Sequence, residues 1–485
     1  MRNYTEAAER STDRRRKEYI SIAEKLFDNP EIRFRERYAS DLLMKKLEEE
    51  GFRSERGAGG LPTAFKASFG SGKPVIGFLG EYDALPGLSQ EAGCAEKRSC
   101  GKAAGHACGH HLLGTGLLGA AIALKDYLKE SGLPGTAVYY GCPAEEGGSG
   151  KVWMLREGVF DEADMLFTWH PDCINRVSPN DILATVTKEY YFHGIPSHAG
   201  AAPEAGRSAL EAAELMAVGM GFLREHLPST ARVHYAYLDA GGSATNIVQG
   251  EAAAAYQIRS PRASESLAVS ERIDDLARGA AIMTGTREEI RFQRASSQLR
   301  VNETLNDLLF EALSLVKRPD PDMESLVLAE RLRESLPENA RGETEKKARA
   351  AYGSPEGTEL AEKYGQSPLI TALCPRSVKN LLYGVSTDVG DVSMYRPVGY
   401  LNTACFPKDV PLHSWQAASF GKSSFAMEGM LTAAKVIGGA AICLVSDPSL
   451  AQKAAAEWEA REKEEPYVCP IPGDAHPGIP EEESF

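Results

Sequence analysis

The residues Gly105-His106-Ala107-Cys108-Gly109-His110-His111 put a thiol and several imidazoles within a few positions of one another. Further along, Pro143-Ala144-Glu145-Glu146-Gly147-Gly148 puts two adjacent carboxylates in a glycine-rich turn. Thiolate and imidazole are ligands for a borderline-soft divalent metal. Next to such a metal, a spare carboxylate can take a proton from a water that the metal has made acidic. On an irregular loop, neighbouring side chains can point apart, so one of Glu145 and Glu146 can bind metal while the other acts as base. Each stretch also has a plainer reading. Cys108 can be a buried structural thiol beside a loop histidine, or a nucleophile paired with a histidine. Glu145-Glu146 can be a solvated acidic loop.

The case for chemistry comes from the elements that position these residues. The apolar run 74–80 reads as a buried parallel strand, with Glu81 and Asp83 just past it. A strand at 137–140 leads into Glu145 and Glu146, and a strand at 165–169 leads into His170. Helices intervene, notably at 111–129, so the region reads as an α/β sheet with crossover helices. Open α/β sheets bind ligands beyond the carboxyl ends of their strands. One cleft can therefore collect all of these side chains. The helix beginning near His111 is expected to lower the Cys108 thiol pKa through its positive N-terminal end. Asp83 can be a turn former or a carboxylate that orients a ligating imidazole. His413, in Leu412-His413-Ser414-Trp415, lies far downstream and counts only if it joins the others. His226, His234 and His476 carry no such context.

From residue 184 the pattern changes to strand (184–193), helix (207–226), strand (233–238), strand (252–259), helix (265–283) and strand (288–292). That β-α-β-β-α-β order predicts an inserted ferredoxin-like domain of about a hundred residues. The expected organisation is a catalytic domain at 1–186, the insert at 187–298, and the rest of the catalytic domain at 299–485. Single helices are expected at 5–27 and 417–441. The charged stretch 318–379 has no clear element pattern, and the tail from 464 is rich in Pro and Glu.

Composition narrows the function classes. A chain of 485 residues with 43% hydrophobic content can bury two or three cores. A net charge of −14 argues against nucleic-acid and anionic-membrane partners, which require a basic face. The polar start 1–16 offers no apolar signal segment, and the apolar stretch 430–445 is broken by Lys435 and small residues, so no membrane span is expected. Nine scattered cysteines without a signal segment point to reduced thiols in the cytoplasm.

Glu81-Tyr82-Asp83-Ala84-Leu85-Pro86, Ala107-Cys108-Gly109-His110, Pro143 to Gly148, Trp169-His170-Pro171, Ser197-His198-Ala199-Gly200 and Leu412-His413-Ser414 occur in an order that resembles the aminoacylase and glutamate-carboxypeptidase superfamily of dinuclear metallohydrolases. The resemblance runs through nearly the whole chain and is to the cysteine-ligand amidohydrolase branch. It implies a mixed-sheet metallopeptidase catalytic domain with a lid and dimerisation insert. It implies two divalent metals, zinc or manganese. Cys108 would bridge them, His110 and His170 would complete one site, and Glu146 and His413 the other. Glu145 would be the general base and Asp83 the orienting carboxylate. His198, from a neighbouring subunit, would stabilise the oxyanion. Asn246 and Arg259 would grip a substrate carboxylate, which suits the planar fork of arginine. Taken alone, Asn246 can be a turn residue and Arg259 a surface ion pair. Many relatives carry an aspartate at the bridge and a histidine where Glu81 stands. The cysteine variant keeps Glu81 out of the expected ligand set.

The implied reaction is hydrolysis of an N-acyl or N-aroyl amino acid, with p-aminobenzoyl-glutamate as the expected substrate. The alternatives are an amidohydrolase or dipeptidase for another N-acyl amino acid, and a non-catalytic binding subunit of a heteromeric hydrolase. A homodimer, or a heteromer with a related subunit, is the expected assembly.

Overall fold

The computed structural model describes residues 1–177, 182–376 and 385–479. Its central sheet has seven strands among the described residues, ordered Arg53–Arg56, Phe65–Ser71, Gly135–Cys142, Val75–Glu81, Met165–Asp172, Val398–Ala404 and Arg176–Val177. The middle strands Gly135–Cys142, Val75–Glu81, Met165–Asp172 and Val398–Ala404 are mutually parallel, whereas Phe65–Ser71 runs antiparallel on the outer side of Gly135–Cys142. The sheet is therefore mixed. Its parallel centre is buried on both faces, which is why Val75–Glu81 reads as a continuous apolar run rather than an alternating one.

Helix His110–Ser131 lies against this sheet and is closely matched to Ser424–Ser446. Small residues allow both contacts. A Cβ on Gly114 would stand 2.6 Å from the Glu81 carbonyl oxygen, and one on Gly116 would stand 2.9 Å from the Trp169 ring. Ala434 faces Gly119, and Ala123 faces Gly438, at about 3 Å from where a Cβ would be. By length and composition Ser424–Ser446 is apolar enough to cross a membrane, but 89% of its most apolar window is buried within this fold. Each fully buried leucine or phenylalanine here contributes about 1.5–3 kcal/mol relative to an exposed one.

The second sheet is four-stranded and antiparallel, ordered Arg232–Asp239, Glu251–Ser260, Ala184–His193, Arg287–Ser296. Helices Ala209–Leu223 and Ala263–Thr284 cover one face of it, and the chain order is β-α-β-β-α-β. These elements run from Ala184 to Ser296.

Several local expectations change. The helix expected at 5–27 is two helices, Arg2–Arg14 and Arg16–Asp28, broken at Arg15. There the Arg15 guanidinium turns to bridge Glu50 and Asp126. The helix expected at 417–441 is likewise split into Trp415–Phe420 and Ser424–Ser446, the second opened by a Ser423 cap. Strands Arg53–Arg56 and Phe65–Ser71 and helix Pro448–Glu464 were not anticipated. Within the stretch left unassigned at 318–379, the described part forms helices Met323–Glu334, Glu343–Tyr352 and Glu356–Gly365. Ala348, Leu360, Ala361, Tyr364, Ile370 and Cys374 make a small core of their own there.

Candidate metal centre

The strand ends deliver the chemistry. Val75–Glu81 ends at Glu81 with Asp83 two residues on, Gly135–Cys142 runs into the Glu145-Glu146 turn, and Met165–Asp172 carries His170 near its end. Helix His110–Ser131 starts at His110, two residues after Cys108. His413 comes from a loop after Val398–Ala404, where its N–H donates to the Ala107 carbonyl at 3.0 Å.

Two groups of ligand atoms form, and Cys108 belongs to both. One is Cys108, His110 and His170, and the other is Cys108, Glu146 and His413. Cys108 Sγ lies 3.3 Å from His170 Nε2 and 3.3 Å from His413 Nε2. Glu146 Oε1 lies 3.2 Å from His413 Nε2. Ligands bonded at about 2.0–2.3 Å around a tetrahedral ion sit about 3.3–3.6 Å from one another. The spacing therefore suits ions between these atoms.

The remaining nitrogens set the tautomers. His110 Nδ1 pairs with Asp83 Oδ1 at 2.8 Å, and His170 Nδ1 with the Pro171 carbonyl at 2.8 Å. Each neutral ring thus carries its proton on Nδ1 and leaves the Nε2 lone pair free, as ligation requires. Asp83 does a second job, because its Oδ2 accepts the Glu146 N–H at 2.8 Å. One carboxylate therefore orients a residue from each half of the centre. His110 Nε2 and Glu146 Oε1 are buried without hydrogen-bond partners among the described residues. A buried orphan acceptor is costly. Two of them facing each other across 4.0 Å fit a pair of cations. The residues present therefore suit the metals the resemblance implies.

The electrostatics agree with a cation-binding hole. Burial, then the charges of Glu81 and Glu146, push the Glu145 carboxyl well above its usual pKa. Burial also opposes ionisation of Glu146, but the hydrogen bond from His413 and the charge of His110 outweigh it and hold the carboxyl at about 2. For Cys108 the expectation from the helix N-terminus is reversed. Burial first, then Glu146, raise the thiol well above its ordinary value. Two cations are what this crowd of acidic groups lacks.

Several supports were not legible beforehand. Glu81, excluded from the expected ligands, places Oε2 3.3 Å from His110 Nε2 and clusters with His110 and Glu145. Its other oxygen meets Lys151 Nζ at 2.6 Å, and Lys151 also contacts Asp388 Oδ1 at 2.6 Å. All three side chains are buried. The only hint was a lone lysine in the apolar run Gly150–Arg156, and Asp388 carried no signal. Removing the cation would strand two buried carboxylates. Lys151→Met is therefore expected to lower stability by about 3–5 kcal/mol in urea denaturation of the metal-free protein. A loss below about 1 kcal/mol would mean that the carboxylates find other partners.

Glu36 Oε1 accepts the Phe34 and Ala144 N–H groups at 2.9 and 2.8 Å, and its Oε2 accepts the Thr63 hydroxyl. It thereby holds the turn, whose Ala144 and Ser149 both have positive φ. The loop bearing His413 is held by the helices at 323–365. Lys408 Nζ meets Glu345 at 2.7 Å, and Asp409 accepts the Gly342 and Thr344 N–H groups at 3.0 and 2.9 Å.

Other anticipated residues stand apart from the cluster. The His111 ring donates from Nε2 to the Gly421 carbonyl at 2.9 Å and packs near the His106 ring; it is a packing residue. His198 and Asn246 occupy adjoining loops of the second domain, where Ala199 N–H donates to the Asn246 carbonyl at 2.9 Å. No hydrogen bond among the described residues joins either to the metal cluster. His198 Nδ1 accepts from the Gly200 and Ala201 N–H groups at 3.1 and 3.0 Å, so the neutral ring carries its proton on Nε2. Arg259 is half-buried, and its Nε donates to Ser386 Oγ at 3.3 Å. His234, which the sequence left without a role, lines a cavity of about 270 Å³ that also reaches Glu146.

Comparison with known proteins adds an independent line. The model of Peptidase family M20/M25/M40 matches residues 77–475. The chain is 42% identical over 463 residues to one p-aminobenzoyl-glutamate hydrolase subunit of Escherichia coli, covering 95% of this chain and 96% of that one. It is 31% identical over 242 residues to the hydrolase's other, distinct subunit from the same organism, covering 47% and 55%. A Bacillus subtilis structure described as a dinuclear metal-binding peptidase of the M20 family superposes with a TM-score of 0.55 at 17% identity, covering 89% of this chain and 98% of that one.

Proposed function

Given that the chain belongs to Peptidase family M20/M25/M40, we propose that the amide bond it hydrolyses is that of p-aminobenzoyl-glutamate, at a centre built on Cys108. The chain is a metal-dependent amidohydrolase. The observation that carries this reading is the sharing of Cys108 between two ligand groups with Glu145 at their edge. We assign Cys108 as the bridging ligand, His110 and His170 to one ion, and Glu146 and His413 to the other. Zinc and manganese both suit thiolate, imidazole and carboxylate donors. When bound, the two cations polarise the scissile carbonyl and acidify a water.

The chain's own groups do the rest. Glu145 takes the proton of the attacking water and later delivers it to the leaving amine nitrogen. Asp83 keeps the His110 lone pair and the Glu146 backbone aimed at the centre. Arg259 and Asn246 hold the α-carboxylate of the substrate, and the His198 Nε2–H donates to the carbonyl oxygen as it becomes negative. Within one chain, His198 bonds only to its own turn, which supports its delivery from a second protomer. Helix Ala209–Leu223 exposes Val218 and Phe222, at 56% and 73%, on the face a partner would cover. That partner is a second copy or a chain related to the less similar of the two Escherichia coli hydrolase subunits. Nine free cysteines support a reducing, cytoplasmic setting.

The test is purified chain, alone and mixed with such a related partner chain, loaded with zinc or manganese and given p-aminobenzoyl-glutamate. Release of p-aminobenzoate is expected. Two bound ions without cleavage of any N-acyl amino acid, in either mixture, would overturn the catalytic reading in favour of a non-catalytic binding role.

A further inference from the structure

The sheet of the second domain has two unlike faces. Val186, Tyr190, Phe192, Ala254, Tyr256, Ile258 and Ala295 pack against the helices. Side chains alternate along a strand, so their neighbours face the other way. That opposite face carries Arg232, His234, Gln257, Arg259, Thr185, Thr187 and Arg294, paired across the strands as Arg232 with Arg259, His234 with Gln257 and Arg294 with Thr187.

Arg294 reaches this face through an irregularity. The register shifts between Phe292 and Arg294, so Phe292 pairs with Lys188 and Arg294 with Thr187, leaving Gln293 as the extra residue. Without that bulge Gln293 would oppose Thr187, and Arg294 would point into the apolar layer under the helices. Bulges re-aim side chains in this way.

Arg294 lines the cavity of about 270 Å³, together with Arg33, Thr187, His234, Gln257 and Glu146. The cavity thus joins the metal cluster to the basic face. Among the described residues lining it, Glu146 alone is acidic, and it belongs to the cluster. No carboxylate pairs with Arg232, Arg259 or Arg294 among the described residues. Arg259 and Arg294 lie near enough to repel, and burial followed by the charge of Arg294 lowers the Arg259 pKa. Thr187 is buried, and its hydroxyl has no hydrogen-bond partner among the described residues. In a chain of net charge −14, unpaired arginines and an orphan hydroxyl around one cavity describe a site built for an anion.

We propose that Arg294, with Arg33 and the Thr187 hydroxyl, binds the side-chain carboxylate of a dicarboxylic amino acid, separately from the α-carboxylate held by Arg259. The inference rests on the amidohydrolase reading and deepens it. It makes the acidic side chain of the leaving amino acid a specificity determinant, read in the cavity that opens onto Glu146. A guanidinium suits the task because its planar fork meets both carboxylate oxygens, whereas an amide on the substrate would leave it unpaired.

The experiment compares p-aminobenzoyl-glutamate with p-aminobenzoyl-glutamine and p-aminobenzoyl-norvaline on the metal-loaded protein. Wild type is expected to favour the glutamate compound by about 100-fold in kcat/KM. Arg294→Gln is expected to lose about 100-fold on glutamate and change less than about 3-fold on the two neutral compounds, and Arg294→Lys to recover part of the loss. Equal losses on all three compounds, or a wild type indifferent to the charge, would overturn the proposal. Binding is read separately, by titrating p-aminobenzoyl-glutamate into Glu145→Gln protein with and without Arg294→Gln. Weaker binding only in the double variant supports the site even if no amide is cleaved, and unchanged binding rejects it even if turnover is normal.

Discussion

Replacing Glu145 with glutamine is expected to lower kcat by about 10²–10⁴-fold while leaving two metals bound per chain. Glutamine keeps the shape and length of the side chain but cannot accept a proton. Its position argues for the effect. Glu145 groups with Glu81 and His110 rather than with the two Cys108 triads, so it borders the centre without completing either ligand set. Its carboxyl is raised by burial and by Glu81 and Glu146, so it sits in a negative environment that bound cations would relieve. KM should change little, because the residue holds neither end of the substrate in this mechanism. Metal content by elemental analysis and kcat by p-aminobenzoate release are the two readouts. Full turnover would remove Glu145 as the base, and loss of metal would make it a ligand instead.

Cys108→Ala is expected to abolish activity and to leave the protein nearly metal-free at concentrations that saturate the wild type. The reason is geometric: Cys108 Sγ is 3.3 Å from His170 Nε2 on one side and 3.3 Å from His413 Nε2 on the other. Both triads lose a ligand at once. His413→Ala provides the contrast, since it belongs to one triad and should cost one ion. A chelator treatment separates this reading from a cysteine nucleophile. Metal removal should stop the wild type and re-addition restore it, whereas a thiol enzyme would keep working. Retention of two ions by Cys108→Ala would show that the thiolate is not shared.

Much of this centre was readable because its parts are local in sequence. Cys108 and His110 are two residues apart, Glu145 and Glu146 are adjacent, and Asp83 and His170 follow runs whose apolar character already marks them as buried strands. The ferredoxin-like order of the second domain was visible for the same reason, as each strand and helix carries its own periodicity. What could not be read was pairing at long range. Lys151 and Asp388 are separated by 237 residues, and neither has a neighbour that betrays the other. The break at Arg15 was hidden because the apolar pattern of the two flanking helices stays in register, and only the partners of Arg15 show why the chain turns. Glu81 was set aside on a family argument, and the distance to His110 Nε2 restores it to the centre.

By itself, then, the order of residues determined which groups are present, which strand end each follows, and that a metal-dependent hydrolase was the economical reading. Tertiary structure alone decided that Cys108 stands between two triads, that Asp83 serves both halves, that burial raises rather than lowers the Cys108 thiol, and that a bulge turns Arg294 toward the cleft. The physical reason is common to all four. Ligand sharing, desolvation and side-chain direction depend on distances and burial set by contacts between distant segments, and local pattern carries no record of them.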